Sequence, residues 1–106
     1  MSEPSSSVPL FTRVRARSVE ARNRIVISPM QQYMAGKDAL PTGWHLNHLE
    51  RLSIGGAGLV FTEALAVEKD GRATHADIGI WNDAQAEALK PIAEAIGRQR
   101  PRREVR

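Results

Sequence analysis

Three consecutive β-branched residues, Ile25-Val26-Ile27, stand immediately before Ser28-Pro29, and this constrains the fold more than any other feature of the chain. A run apolar on both faces reads as a central, parallel strand. The proline ends its ladder because it has no N–H to donate. A second run, Leu59-Val60-Phe61 within Gly58 to Glu63, reads the same way. Between them, Gly36 to Gly43 is a turn-rich loop, and Thr42 is placed to cap a helix over Gly43 to Ile54. Leu46, Leu49 and Leu52 give that helix one buried stripe, and Gly55-Gly56 ends it. Ala64 to Trp81 reads as a long loop with a small hairpin at Asp70-Gly71. A second helix starts at Asn82 or Asp83, with Gln85 in the capping-box position if Asn82 is the cap. Its predicted stripe is Leu89, Ile92, Ala93 and Ile96, and Pro91 costs it one internal hydrogen bond. Strand, helix, strand, helix, with each helix long enough for a right-handed crossover, is an α/β pattern.

The 106 residues suffice for one small domain and not for two. Met1 to Pro9 is rich in Ser and Pro and reads as a flexible lead-in; from Leu10 onward, Val14, Ala16 and Ser18 alternate with Arg15 and Arg17 as in a short strand or hairpin. With no cysteine, disulfides, thiolate metal sites and cysteine nucleophiles are closed. No apolar run approaches the roughly 20 residues of a membrane helix and no signal peptide is visible, so the expected location is cytoplasmic. The formal charge of +3 is unevenly placed: RQRPRREVR at the end holds five Arg and one Glu, leaving ten basic and eleven acidic residues in 1–97. The body is neutral and only the tail is basic.

In parallel α/β folds, ligands lie at the carboxyl ends of the strands. Two segments qualify, Ser28 to Tyr33 after the first central strand and Thr62-Glu63-Ala64 after the second. Taken alone, Ser28-Pro29-Met30 is an ordinary strand terminator. The wider pattern says more. NRIVISPM, the following QQY, PTGWHLNHL, GGAGLVFTEALAV, DGR and DIGIWND, in this order from about Leu10 to Ile96, resemble the N-terminal part of the Old Yellow Enzyme family, nearest its xenobiotic reductase branch.

The resemblance implies a TIM (β/α)8 barrel of which this chain supplies an N-terminal hairpin and about two βα units, with residues 10–97 as the partial barrel domain and 98–106 as a basic tail outside the family pattern. It implies an FMN-dependent NAD(P)H oxidoreductase that passes hydride from reduced flavin to the β-carbon of an activated alkene or enone. By position, Ser28, Pro29, Met30 and Gln31 would line the flavin, largely through main-chain groups. Ala64 would pack near the ring, where a small side chain leaves room, and Tyr33 would contact substrate. Gln31 stands where this branch often carries a cysteine that tunes the flavin. Ala16 and Ala21 stand where bulkier aliphatics are usual, so the hairpin should pack less well if they are buried.

A full barrel takes eight strands and typically about 250 residues. The family's HAGRK-like segment, substrate-gripping histidine pair, proton-donating tyrosine and phosphate-binding loops lie beyond Ile96 in relatives. A shifted or misjoined reading frame near Gly97 would account for the arginines that follow. The expectation is therefore no catalytic residue in this chain and no turnover by it alone. The other reading is a non-catalytic remnant or complementing half-barrel that self-associates through exposed sheet edges and has a tail weakly adhesive to polyanions, without specific nucleic-acid recognition. His45 and His48 share a helix face, but two ligands are too few for a metal site. Glu63 could serve as a general base, although a buried carboxylate hydrogen-bonded to nearby backbone is the commoner role for such a residue. Trp44 and Trp81 read as packing residues.

Overall fold

The computed structural model describes residues 8–98. The flexible lead-in and the basic tail thus lie outside the described residues, apart from Val8, Pro9 and Arg98. The first element after a short helical turn is a hairpin of β1 (Val14–Ala16) and β2 (Val19–Ala21), antiparallel with Val14 opposite Ala21 and Ala16 opposite Val19. Arg17 turns it at φ 55°. Ala16 is exposed and Ala21 half-buried, so at Ala16 no packing is forfeited.

The second sheet joins β3 (Val26–Ile27) to β4 (Leu59–Val60) in parallel, Val26 beside Leu59 and Ile27 beside Val60. Between them runs α1 (Gly43–Ile54), and α2 (Asp83–Gly97) follows β4. Gly58 admits β4 to this position. A Cβ there would stand 2.5 Å from the Asn23 carbonyl oxygen. The Asn23 side chain itself donates to the Gly56 carbonyl at 2.8 Å and accepts from the Ile25 N–H at 3.0 Å.

Both strands were expected to be buried on two faces, and they are covered on one. Ile25, Ile27 and Val60 are partly buried on the helix side, whereas Val26, Leu59 and Phe61 are 52%, 40% and 47% exposed. The reason is that the helices lie on a single side, and the opposite face has no covering layer among the described residues. The core sits between the helices and the loops, around Ala39, Leu49, Ile78, Ile92 and Ala95. Across the helix pair, the Ser53 hydroxyl donates to the Ile96 carbonyl at 3.1 Å.

The helix starts follow the sequence. The Thr42 hydroxyl accepts from the Trp44 N–H at 3.3 Å, and the Asn82 side chain accepts from the Gln85 N–H at 2.8 Å. The stripe of α2 is rotated from the expected one: Ala95 is fully buried and Ala93 exposed. Gln85 lies on the buried side of α2, and its amide reaches past the cap to accept from the Trp81 N–H at 2.7 Å and donate to the Asp38 carbonyl at 2.9 Å. The helix continues through Pro91. At Asp70-Gly71 there is a single helical turn, Lys69–Gly71, instead of a hairpin, and the arms of this loop meet further out, in parallel, at Ala66 and Gly79.

Candidate functional site

Beyond β3 the chain runs through Ser28, Pro29 and Met30, all exposed, with Met30 at 49%. Among the described residues the backbone N–H groups of Ser28, Met30 and Gln31 make no hydrogen bond. The Gln31 side chain turns across to the other strand. Its carbonyl accepts the Ala64 N–H at 2.7 Å and its amide donates to Asp77 Oδ1 at 3.1 Å. Gln31 and Ala64, chosen separately from the sequence, are thus in direct contact.

The loop after Gln31 is pinned from the side. Trp44 Nε1 donates to the Gln32 side-chain oxygen at 2.9 Å, and the Gln32 amide donates to the Met30 carbonyl at 3.1 Å. The Thr42 hydroxyl donates to the Met34 carbonyl at 3.2 Å. Within this frame Tyr33 is held at φ 57° with its side chain 57% exposed. A bulky aromatic residue in the left-handed region costs on the order of 1–2 kcal/mol, a strain that concentrates at ligand-contacting positions. Trp44 is half exposed and hydrogen-bonded to the loop, so packing is not its main role. Trp81 does pack: its ring crosses Gly79, where a Cβ would fall 2.3 Å from a ring carbon, and the Arg72 guanidinium lies 5.6 Å from the ring centre.

Asp77, quoted above only as the first residue of DIGIWND and given no role there, organises the loop opposite. Oδ2 accepts the Ala73 and Thr74 N–H groups at 2.9 and 3.0 Å, and Oδ1 accepts the Thr74 hydroxyl at 2.8 Å. Burial pushes this carboxyl up, but the hydrogen bonds from Thr74, Ala73 and Gln31 outweigh it and leave the pKa below the ordinary value. The Thr74-x-x-Asp77 spacing is a capping signature that could have pointed to it, but no apolar helix pattern follows.

Under the strand ends lies a second pair. His45, fully buried, accepts the Thr42 N–H on Nδ1 at 2.9 Å, completing the capping box of α1. Its Nε2 is 3.5 Å from Oε2 of Glu63, which is only 4% exposed. Burial lowers the His45 pKa and raises that of Glu63. Glu63 is the expected buried carboxylate hydrogen-bonded to backbone: the Gln32 N–H donates to it and partly offsets the effect of burial, while the His45 imidazole stands 3.5 Å away. His45 Nδ1 is committed to the Thr42 N–H, and its Nε2 faces Glu63.

The sequence profile of the NADH:flavin oxidoreductase / NADH oxidase family matches residues 9–102. The chain belongs to this family. An NADPH dehydrogenase of Listeria monocytogenes is 41% identical over 88 residues, 82% of this chain and 26% of that protein. The Old Yellow Enzyme homologue of Zymomonas mobilis superposes with a TM-score of 0.73 at 32% identity, over 85% of this chain and 25% of the other. Morphinone reductase, solved in complex with tetrahydroNAD, gives 0.72 at 28% identity over 85% and 24%. The chain therefore spans about a quarter of the length of the relatives it matches. Its fold is the N-terminal part of a (β/α)8 barrel, and the family's cofactors are FMN and a nicotinamide nucleotide.

The residues present are compatible with one side of a flat flavin. Free backbone donors at Ser28, Met30 and Gln31, the exposed apolar Met30 and the small exposed Ala64 all lie at the carboxyl ends of the two parallel strands. The Gln31 side chain is spent on Ala64 and Asp77, which leaves only its main chain to face a ring. Among the described residues no helix is long and apolar enough to cross a membrane.

Proposed function

We propose that this chain forms one wall of the FMN site of an NAD(P)H oxidoreductase of the ene-reductase type, and that it does not turn over alone. The observation that carries this is the Gln31–Ala64 hydrogen bond, which gathers the two sequence segments into a single surface. FMN, when bound, takes hydride from the nicotinamide and delivers it to the β-carbon of an activated alkene or enone. The chain's own part is to bind and orient. The N–H groups of Ser28, Met30 and Gln31 donate to polar ring atoms, Met30 and Pro29 shield the ring from water, and Ala64 leaves space for it. Tyr33, held out by its strained backbone, contacts the substrate. None of these side chains is placed to move a proton in the reaction.

A second reading, a non-catalytic remnant or complementing half-barrel that self-associates, is favoured by the uncovered face of Val26, Leu59 and Phe61. Flavin content tests both. The chain purified alone is expected to be colourless and to associate. Co-expressed with the C-terminal remainder of a relative's barrel, it is expected to become yellow and to oxidise NAD(P)H in the presence of an enone. A compact monomer that stays yellow through dialysis would overturn the dependence on missing walls. A co-expressed pair that stays colourless would overturn the flavin reading and leave the remnant. If the basic tail acts as an independent polyanion binder, deleting residues 98–106 abolishes salt-sensitive heparin retention.

A further inference from the structure

His45 and Glu63 are the two buried side chains with a polar atom left without a hydrogen bond among the described residues, at His45 Nε2 and Glu63 Oε1. They lie on different elements, α1 and the segment after β4, and face each other at 3.5 Å between Nε2 and Oε2. The protonation of the ring is dictated from its other side. Nδ1 receives the Thr42 backbone N–H at 2.9 Å and stands 3.3 Å from the Thr42 hydroxyl, so a proton on Nδ1 would collide with a donor that cannot turn away. That leaves one tautomer, with the proton on Nε2 aimed at Glu63. Such a ring cannot become an imidazolium without breaking the cap of α1.

We propose that His45 is a positioning residue, a permanently neutral imidazole protonated on Nε2, which anchors Glu63 and through it fixes the Ala64 and Gln31–Tyr33 segments against the start of α1. Glu63 is directly bonded in sequence to Ala64, and Ala64 is tied to Gln31 at 2.7 Å. The same helix start holds the Gln31–Tyr33 loop through Trp44 and Gln32. Thr42, one residue before α1, thus orders both strand ends: its hydroxyl directly holds Met34, and its N–H orients the imidazole that meets Glu63. The charged or titratable neighbours are His48 on α1, which disfavours a charge on His45, and Asp77 in the loop before α2, which disfavours a charge on Glu63. A neutral His45 keeps its Nε2–H facing Glu63 at 3.5 Å whether or not the carboxyl is ionised, a separation at which no hydrogen bond is closed, so the contact does not depend on the titration of Glu63. That these segments face flavin rests on the functional reading above; the anchoring does not.

The test uses the whole chain labelled with 15N-histidine and long-range proton–nitrogen spectra between about pH 5 and pH 8.5. The His45 signals are assigned by their loss in His45→Gln, which keeps an acceptor at the third helical position for the cap. The expected result is an Nε2–H tautomer that does not change across the range. A signal from Nδ1–H, or an imidazolium that titrates in this range, would overturn the proposal. The second readout is the backbone amide shift of Gln32, whose N–H is hydrogen-bonded to Glu63, and the side-chain amide shifts of Gln31, which is tied to Ala64. Glu63→Gln retains an oxygen for Nε2–H and should leave them in place, whereas Glu63→Ala should displace both. If Glu63→Ala leaves them unmoved, or Glu63→Gln displaces them equally, Glu63 is not the link. Neither measurement uses flavin, so both remain readable in a chain that never binds FMN.

Discussion

The Gln31 side-chain carbonyl accepts the Ala64 backbone N–H at 2.7 Å, so the residues that follow two parallel strands are joined by one amide. The other end of that amide reaches Asp77 at 3.1 Å. Position 31 is therefore a bridge across the strand ends as well as a lining residue of the candidate cofactor surface. A cysteine there could make at most one of the two contacts.

Replacing Gln31 by Leu keeps its bulk and removes both contacts, leaving the Ala64 N–H without its acceptor. The expected cost is about 1–3 kcal/mol of unfolding free energy, read as a lower denaturant midpoint. Gln31→Glu keeps the acceptor for Ala64 but sets a carboxylate against Asp77. Its deficit should shrink as the pH is lowered and the two acids are neutralised.

Gly58→Ala should be damaging although Gly58 is only half-buried. The new Cβ would meet the Asn23 carbonyl oxygen at 2.5 Å, and backbone cannot swing aside as a side chain can. A loss of about 1–3 kcal/mol is expected from thermal or urea unfolding. An alanine at Gly71, with nothing within 4 Å, is the control and should differ little from the parent chain.

Asp77→Asn replaces one of two oxygens, each of which accepts two hydrogen bonds, by a donor that faces donors. About 2–3 kcal/mol should be lost at neutral pH. Because the folded pKa of Asp77 lies below 3.8, its stabilisation is present above that value and is lost as the pH falls through the folded value. Parent and variant should therefore converge in strong acid.

His45 and Glu63 act on stability in opposite directions. The folded His45 pKa is below 6.5, so the unfolded chain binds the extra proton first, and stability falls as the pH drops from 6.5 toward the folded value. The folded Glu63 pKa is above 4.5, so stability falls as the pH rises from 4.5 through the folded value. Urea unfolding should show His45→Gln flattening the first slope and Glu63→Gln flattening the second.

What the sequence revealed was local. The Thr42 and Asn82 caps and the span of α1 each depend on residues a few positions apart, and the structure places them as read, whereas the Ile25–Ile27 run yields a strand only at Val26–Ile27. What stayed hidden joins distant positions: Gln31 to Ala64 and Asp77, His45 to Glu63, and Gln85 to Asp38. Gln85 joins the buried face of α2 through the last of these, while Ala93 is exposed, which no apolar periodicity within the helix could disclose. Apolar runs gave the strands but not their one-sided cover, because Val26 and Leu59 look the same in sequence whether or not a neighbour exists. Family motifs supplied the candidate lining, yet they gave no hint that the Gln31 side chain turns away from it.

The bridge from Gln31 to Asp77 closes over 46 positions, and the Gln31–Ala64 tie over 33. Short closures carry a small entropic penalty, and chains emerge from the ribosome amino end first. The two ties that shape the strand ends thus lie between residues 31 and 77, and can close as soon as that stretch of chain has emerged.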